Sequence, residues 1–273
     1  MAIITISRKL GSLGNTIAQA VAEELHYQLL TRESVSTMLV DSGFSESNVM
    51  KTFSEEGASS LLENFVLDRD RLICYIKAAL YTFARQDNVV IMGMGAQVLF
   101  HHMPHTFRLK ITAPLDVRLK RIQERYGCDE HYANHLVVAS DHARSGFTKY
   151  FFNEEWESIH FYDVIVNTER ISTAGAVRLI TNEVREFDGS DQKILAQNTL
   201  ADLILQQQIL SKILYEEELD FLYMNAVVES GQVTLNGYSR LVDNKQRSEE
   251  LVRKIPGVRQ VVNEIFIEPA APE

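Results

Sequence analysis

AIITISRKLGSLGNTIAQAVAEEL, residues Ala2 to Leu25, is the stretch whose reading decides the fold. Ala2 to Ser7 form a β-branched, apolar run of the kind that makes a strand buried on both faces. Gly11 and Gly14 break that run, and from Asn15 or Thr16 to His26 the apolar residues Ile17, Ala18, Val21, Ala22 and Leu25 recur at the three-and-four spacing of one helix face. Strand, glycine loop and helix in this order put unpaired backbone N–H groups and the positive end of a helix dipole at the strand's C-terminal end, where phosphate is favoured. Gly11 and Gly14 let the backbone close around an anion, Ser12 and Thr16 offer hydroxyls, and Arg8 and Lys9 bring positive charge from upstream. The loop departs from G-x-x-x-x-G-K-[ST]: with Thr16 on the final Thr, Gly14 stands where the Lys belongs and Leu13 where a Gly belongs. On spacing alone, a phosphate loop and an ordinary strand-to-helix turn are equal readings.

The rhythm continues outward from there. Tyr27 to Leu30 reads as a second short strand, and Thr31, Arg32 and Glu33 lead into a polar helical region to about Ala58. Leu61 to Arg85 reads as an amphipathic helix and Val89 to Met92 (VVIM) as a buried strand ending in Gly93-Met94-Gly95. Thr106 to Thr112 alternates as a strand, Pro114 suits the first turn of a helix, and helical pattern resumes from Asp129 to about Ser145. Tyr162 to Asn167 is a fifth strand and Ser172 to Glu186 a further helix. Strands alternating with helices predict a parallel sheet with crossover helices. Phe187 to Asp191 is a polar break, beyond which helix, strand, strand, helix and strand follow in a unit of about 70 residues, near the lower limit for folding alone.

The chain has 273 residues, 45% hydrophobic and 23% charged, with a formal net charge of −10. That balance argues against a nucleic-acid partner held by general basic charge, while leaving room for a local basic pocket. Cys74 and Cys128 fit neither CxxC nor metal spacing and suit a reducing cytoplasm. No apolar run of membrane length and no basic-then-apolar leader stands out, so a soluble, non-exported, cytoplasmic protein is expected, without a membrane partner.

The opening residues ITISRKLGSLGNTIAQAVAEEL resemble the start of the cytidylate kinase-like proteins, a branch of the P-loop nucleoside monophosphate kinases, which reads roughly ISRxxGSGGxxIAxxLAxxL. Later segments keep that family's order: VVIMGMGAQVL is similar to its VIxGRGAxxxL, LKITAPLDVRLKRI to its strand-AP-helix segment, SDHARSGFTKYFF to its lid helix, and YDVIVNT to its YDLxINT. The resemblance spans about residues 3 to 186. It implies a three-layer α/β kinase fold that binds ATP with Mg²⁺ and phosphorylates a nucleoside monophosphate, CMP-like, or another small acceptor. Arg8, Gly11, Ser12, Gly14, Asn15 and Thr16 would hold the donor phosphates, with Thr16 also offering its hydroxyl to Mg²⁺. Gly93, Met94 and Gly95 would line the acceptor pocket.

Between Arg108 and Arg125 six basic residues stand against two acids, and Arg118, Arg121 and Arg125 share a helix face that could aim at a triphosphate; a solvated surface is the other reading of such a run. With Arg144, Arg118 and Arg121 would neutralise the transferring group. Asp141 and Arg144, at i and i+3, match the lid positions; alone they would be a surface ion pair.

Three departures qualify the resemblance, the first being Leu13, which stands in the loop where the family has a glycine. The arginine of the family's GRG is Met94 here, and a thioether cannot replace a guanidinium fork. VVIM ends without an acidic residue for Mg²⁺. The Gly14 in place of lysine, by contrast, is typical of the family. His101, His102 and His105 read as an exposed loop, and Trp156 as a packing anchor.

Val227 to Glu268 resembles the BON domain in its V-x-x-G-x-V-x-L-x-G hairpin (Val228, Gly231, Val233, Leu235, Gly237), its I-P-G-V (Ile255 to Val258) and its V-V-N-x-I (Val261 to Ile265). Val233 and Leu235 are expected to face the following helix through Leu251, Val252 and Ile255. The domain expectation is a kinase-like unit over 1–187, a linker over 188–198, an αββαβ BON-like unit over 199–268 and a tail over 269–273, the BON-like unit serving a homodimer or a protein partner. The alternative to an active enzyme is a nucleotide-sensing regulatory protein that signals through this unit, a reading favoured by Met94.

Overall fold

The computed structural model describes residues 2–53, 69–187, 192–214, 219 and 221–268. The expected helical stretches over 54–58 and 61–68, the polar break at 188–191 and the tail lie outside them. The described chain divides into two compact units, one from 1–67 and 86–193, the other from 68–85 and 194–273. The helix α4 (Arg69–Ala84) therefore groups with the C-terminal segment, whereas the sequence reading left it in the front domain. Its Cys74 Sγ–H donates to the Gln207 carbonyl at 3.3 Å.

The first unit is built on β1 (Ile3–Arg8), β2 (Gln28–Leu30), β3 (Val89–Met92), β4 (Thr106–Thr112) and β5 (Val164–Asn167), a parallel sheet in the order β2-β3-β1-β4-β5. All six residues of β1 are buried, as a central strand flanked by helices requires. Ile4, Ile6, Ile17, Val21, Leu109 and Ile180 belong to one core cluster, so the helices α1 (Gly14–Leu25) and α8 (Thr173–Phe187) seal one face of the sheet. The remaining helices are α2 (Arg32–Asp41), α3 (Glu46–Phe53), α5 (Ala96–Leu99), α6 (Leu115–Tyr126) and α7 (Glu130–Phe152).

Local differences from the sequence reading have physical causes. Pro114 is the N-cap of α6, not its first helical residue, with extended ψ of 154°. α7 runs on to Phe152, past the expected Ser145, because Phe147 and Phe151 bury their rings. It starts at an Asp129 cap that accepts the Tyr132 N–H. His105 is not exposed: it is 2% accessible and stacks on Phe187 at 5.4 Å. His101 packs edge-on against Phe161, and only His102 of the three is exposed. Trp156 is buried, as an anchor would be, with its Nε1–H donating to Ser7 Oγ at 2.8 Å.

The second unit carries α9 (Lys193–Leu214), β6 (Leu222–Glu229), β7 (Gln232–Ser239), α10 (Val242–Arg253), β8 (Gln260–Asn263) and β9 (Phe266–Ile267). α9 starts earlier than Thr199 and so takes in part of the stretch read as linker. β6 and β7 form an antiparallel hairpin around Ser230-Gly231, both at positive φ, as a two-residue hairpin turn demands. Asp202 on α9 ties that turn down by accepting the Ser230 N–H at 2.8 Å. β7 pairs in parallel with β8 and β9, two short strands where the sequence suggested one. Val233, Leu235 and Val252 share the core with Ile209 and Ile213, whereas Leu251 stands outside that cluster.

Candidate active site

The loop between β1 and α1 runs from a strand end into a helix start, the place where an anion is expected, and its geometry is legible in the sequence only in part. Gly11 has φ 78°, and a Cβ there would lie 2.8 Å from the backbone oxygen of Arg118. Glycine is required because α6 passes directly behind the loop. Leu13 caps α1 at φ 63° without a side-chain hydrogen bond, so the helix's first amides have no side-chain acceptor. Placing a non-glycine residue in that region costs roughly 1–2 kcal/mol, which the loop tolerates with the Leu13 side chain turned outward, 37% exposed.

α6 holds the loop from behind. Arg121 Nη1 donates to the Gly11 carbonyl at 3.1 Å and to Thr168 Oγ1 at 3.0 Å, while its Nη2 donates to the Thr168 carbonyl at 2.7 Å. Thr168 in turn donates its hydroxyl to the Ser12 carbonyl at 3.0 Å. Arg118, 5% accessible, makes a twofold contact with Asp141 at 2.8 and 3.0 Å. These bonds engage loop carbonyls on the protein side and leave the amides of α1 for a ligand.

The expected common aim of Arg118, Arg121 and Arg125 is therefore corrected. Arg118 is sequestered with Asp141, Arg121 braces the loop, and Arg121 and Arg125 border the cleft. Asp141 pairs with Arg118 of the neighbouring helix, not with Arg144 one turn on. Ser12 is likewise corrected: it is fully buried, and its hydroxyl donates to the Lys9 carbonyl at 2.7 Å. Asn15 and Thr16 remain exposed at the mouth, Asn15 Oδ1 accepting Arg8 Nε–H at 2.9 Å.

In front of the loop lies a cleft of about 520 Å³, bordered by Gly11, Gly14, Thr16, Arg8, Lys9 and Arg121 among others. Beside it is a smaller cavity of about 40 Å³, bordered by Gly93, Met94, Gly95, Phe53, Phe147 and Trp156 among others. Arg8, Arg32 and Arg144 border both. Arg8 reaches this junction because Gly14 and Gly93 make room: a Cβ at Gly14 would lie 2.4 Å from Arg8 Cβ, and one at Gly93 2.6 Å from Arg8 Nη1. Arg32 donates to the Phe53 carbonyl and lies over the Phe53 ring at 5.9 Å. Arg144 is held by the Ser140 carbonyl at 3.0 Å and by the Ser140 hydroxyl.

Met94 is buried, with φ 58°, between two glycines also at positive φ. No cation stands at its own position; Arg32 and Arg144 bring guanidinium groups to the same cavity from α2 and α7. Sequence reasoning missed Arg32 and Glu33. Both directly follow the C-terminal end of a strand of the parallel sheet, the place where ligands bind in open α/β sheets. Glu33 is held below the ordinary carboxylate range, first by a hydrogen bond from Thr31 and further by Arg32 and Arg8.

A second network supports the Trp156 wall. Lys110 on β4, 3% accessible, donates to Glu157 at 2.9 Å and to the Trp156 carbonyl at 3.3 Å, with its ammonium 4.5 Å from the indole centre. Burial pushes the Lys110 ammonium down and Glu157 opposes that shift. Burial would raise Glu157, but its hydrogen bonds with Lys110 and Lys9 outweigh this and hold it below its ordinary value. Lys9 reaches Glu157 at 3.0 Å, which connects the β1–α1 loop to the indole wall.

The residues present suit a nucleoside triphosphate. An uncapped helix start, two glycines at close approaches and several guanidinium groups surround one cleft. Thr16, exposed at the loop mouth, is the hydroxyl that could reach Mg²⁺ beside phosphate oxygens, and no cluster of three His, Cys, Asp or Glu side chains forms among the described residues. Mg²⁺ is commonly held this way, with few protein ligands and several waters. No helix among the described residues is long and apolar enough to cross a membrane.

A cytidylate kinase of Natronomonas pharaonis is 25% identical over 192 residues, covering 70% of this chain and 93% of that protein. A cytidylate kinase of Staphylothermus marinus is 24% identical over 107 residues, which span 39% of this chain and 60% of that protein. Among solved structures, an uncharacterised protein from Eubacterium ventriosum aligns with a TM-score of 0.49 at 19% identity, over 70% of this chain and 100% of its own. Residues 201–269 match the BON domain model. Residues 3–170, more than half of the chain, match the model of the cytidylate kinase-like family, and the chain belongs to that family.

Proposed function

We propose that the first unit transfers a phosphoryl group from ATP to a nucleoside monophosphate. The observation that carries this reading is the position of Arg8, Arg32 and Arg144 on the border shared by the phosphate-loop cleft and the Met94 cavity. Phosphoryl transfer needs little covalent help from a protein; it needs donor and acceptor held in line and the charge of the transferring group met by fixed cations. Donor phosphates on the loop and an acceptor in the cavity would meet where these three guanidinium groups lie.

Gly11, Gly14, Asn15 and Thr16 would hold the donor phosphates through backbone amides and the Thr16 hydroxyl. Bound Mg²⁺, reached by Thr16, would supply further neutralisation of the phosphates. Arg118, Asp141, Arg121 and Thr168 act as positioning residues that keep the loop's carbonyls turned away from the anion. Gly93, Met94 and Gly95 would shape the acceptor pocket. CMP is the first acceptor to test because the relatives above are named cytidylate kinase.

A second reading rests on Met94 and on the small volume of its cavity: a nucleotide sensor without turnover, signalling through the BON unit. For that unit we infer a role in contacts with a second copy or another protein, and two free cysteines suit a cytoplasmic setting. ADP release measured across the nucleoside monophosphates, with ATP binding measured in parallel, separates the two readings. The enzyme reading predicts ADP release with at least one acceptor. ATP binding with no release on any acceptor contradicts it and favours the sensor.

A further inference from the structure

We propose that the C-terminal unit carries an anion site of its own, a cleft that takes a compact soluble polyanion such as a di- or triphosphate; this does not rest on the kinase reading above. The cleft has a volume of about 990 Å³, at the upper end of the roughly 300–1,000 Å³ typical of small-molecule pockets, and every residue that borders it belongs to the second unit. Its walls come from α9, the end of α10 and two turns. Gly231 has φ 80° and Gly257 φ 97°, and a Cβ at Gly231 would lie 2.6 Å from the Gly257 carbonyl oxygen. The hairpin turn and the Pro256-Gly257 turn thus pack at a distance that only glycine allows. The glycines of the BON-like motifs build one wall of the cleft in this way.

The cleft is cationic. Arg85 directly after α4, Lys212 on α9, Lys254 at the end of α10 and Arg259 just ahead of β8 border it from four segments of the chain. None of these four side chains has a hydrogen bond or ion pair to a described residue. By contrast Arg240, Lys245 and Arg253 of the same unit are engaged by Glu268, the Ile265 carbonyl and Glu249. Asp202 is the one carboxylate that borders the cleft, and it accepts the Ser230 and Gly231 N–H groups at 2.8 and 3.3 Å. Over the whole chain acidic residues outnumber basic ones by 37 to 27, so four cations around one engaged carboxylate run against the composition. Like charges around one recess repel each other, and an anion with two or more charges relieves that repulsion. Leu205 and Ile255 give the recess aliphatic, low-dielectric surface, which focuses the cations' field on what enters. A compact free ligand meets cations on several sides of a recess, whereas a plane of lipid headgroups meets only those at its rim.

The test counts sites by equilibrium dialysis of the full chain against inorganic tripolyphosphate, at low ionic strength and without Mg²⁺. The double variant Lys254→Gln, Arg259→Gln should bind one tripolyphosphate fewer than wild type, or bind it about tenfold or more weakly, the scale of losing charge-assisted hydrogen bonds. Arg85→Gln with Lys212→Gln removes the other two cations and should reproduce the loss. High salt should erase the difference between wild type and either variant, because the attraction is screened. A first unit that binds no phosphate lowers every count equally, so the difference reads this cleft alone and survives failure of the kinase reading. Equal counts and affinities in wild type and both double variants would overturn the proposal. Urea midpoints at or above wild type are expected, since no described partner is lost; a fall in both would show that the cations serve the fold and not a ligand. Phosphatidylglycerol vesicles separate a lipid headgroup from a free ligand: cosedimentation that depends on these cations, with tripolyphosphate counts unchanged, would overturn the soluble ligand in favour of a membrane surface.

Discussion

Replacing Gly14 with alanine sets two effects against each other. Alanine is favoured over glycine inside helices by about 0.8–1.0 kcal/mol, and Gly14 is the first residue of α1 without a positive φ, so the backbone accepts the change. The new Cβ, however, would lie 2.4 Å from Arg8 Cβ and 2.7 Å from Arg8 Cγ. Both atoms sit at the root of the side chain on a central strand, so neither can swing clear. Overpacking of this kind costs about 1–3 kcal/mol. Displacing Arg8 also breaks its Nε–H bond to Asn15, and a hydrogen bond from a charged donor contributes about 1.5–3 kcal/mol. The penalties exceed the propensity gain, and a net destabilisation of about 1.5–5 kcal/mol is expected in urea unfolding. Because Arg8 borders both cavities, calorimetry should also show weakened ATP binding. Gly127→Ala is the control: its Cβ meets nothing within 4 Å, so it carries only the backbone penalty of φ 63° and leaves ATP affinity unchanged. A Gly14→Ala chain as stable as wild type, with unaltered ATP affinity, would refute the account of the loop.

Asp141→Ala leaves the Arg118 guanidinium, 6% exposed, without its carboxylate. A loss of about 1–3 kcal/mol in urea unfolding is expected, below that of a fully buried pair because Asp141 is itself a quarter exposed, and an unchanged midpoint would contradict the pairing. Glu157 has a folded pKa below its unfolded value of 4.5, so its stabilising effect is complete above that pH and is lost as the pH falls through the folded value. Glu157→Gln should accordingly flatten the acid side of the thermal stability curve; superimposable curves would rule the network out. Burial holds the Cys74 thiol up at about 11 and only 4% accessible, whereas Cys128 is partly exposed. Native titration with a thiol reagent should count one fast thiol, and two would show that Cys74 is open.

Much of the sheet is legible in the chain because its strands are short β-branched runs, and a strand buried on both faces leaves that mark without any partner being known. The αL residue at Leu13 and the sequestered Ser12 are not legible: each follows from α6 passing behind the loop, a contact made far along the chain. The spacing of Arg118 and Arg121 places them near each other on one helix, but spacing does not say what that helix faces. Here it faces the back of the loop, so of the two residues expected at the phosphates Arg121 braces the loop and Arg118 pairs with Asp141. His105 looked exposed in a polar run and is buried because Phe187 covers it. Arg32 lies in a segment with no distinctive pattern, and only the packing of α2, α5 and α7 around one cavity identifies it. The grouping of α4 with the C-terminal unit is of the same kind, since an amphipathic helix shows that it has a buried face but not which core receives it.

The central claim is that phosphate passes between the two cavities at Arg8, Arg32 and Arg144. Its most direct test is single-turnover transfer of labelled γ-phosphate from ATP to a nucleoside monophosphate, in wild type and in Arg144→Met, with Mg²⁺ present. The account predicts labelled nucleoside diphosphate from wild type and a rate lower by about a hundredfold or more in the variant, the scale of removing one charge-stabilising donor, with ATP affinity largely retained. Wild-type chain that binds ATP yet labels no acceptor, or an Arg144→Met variant that transfers at the wild-type rate, would contradict it.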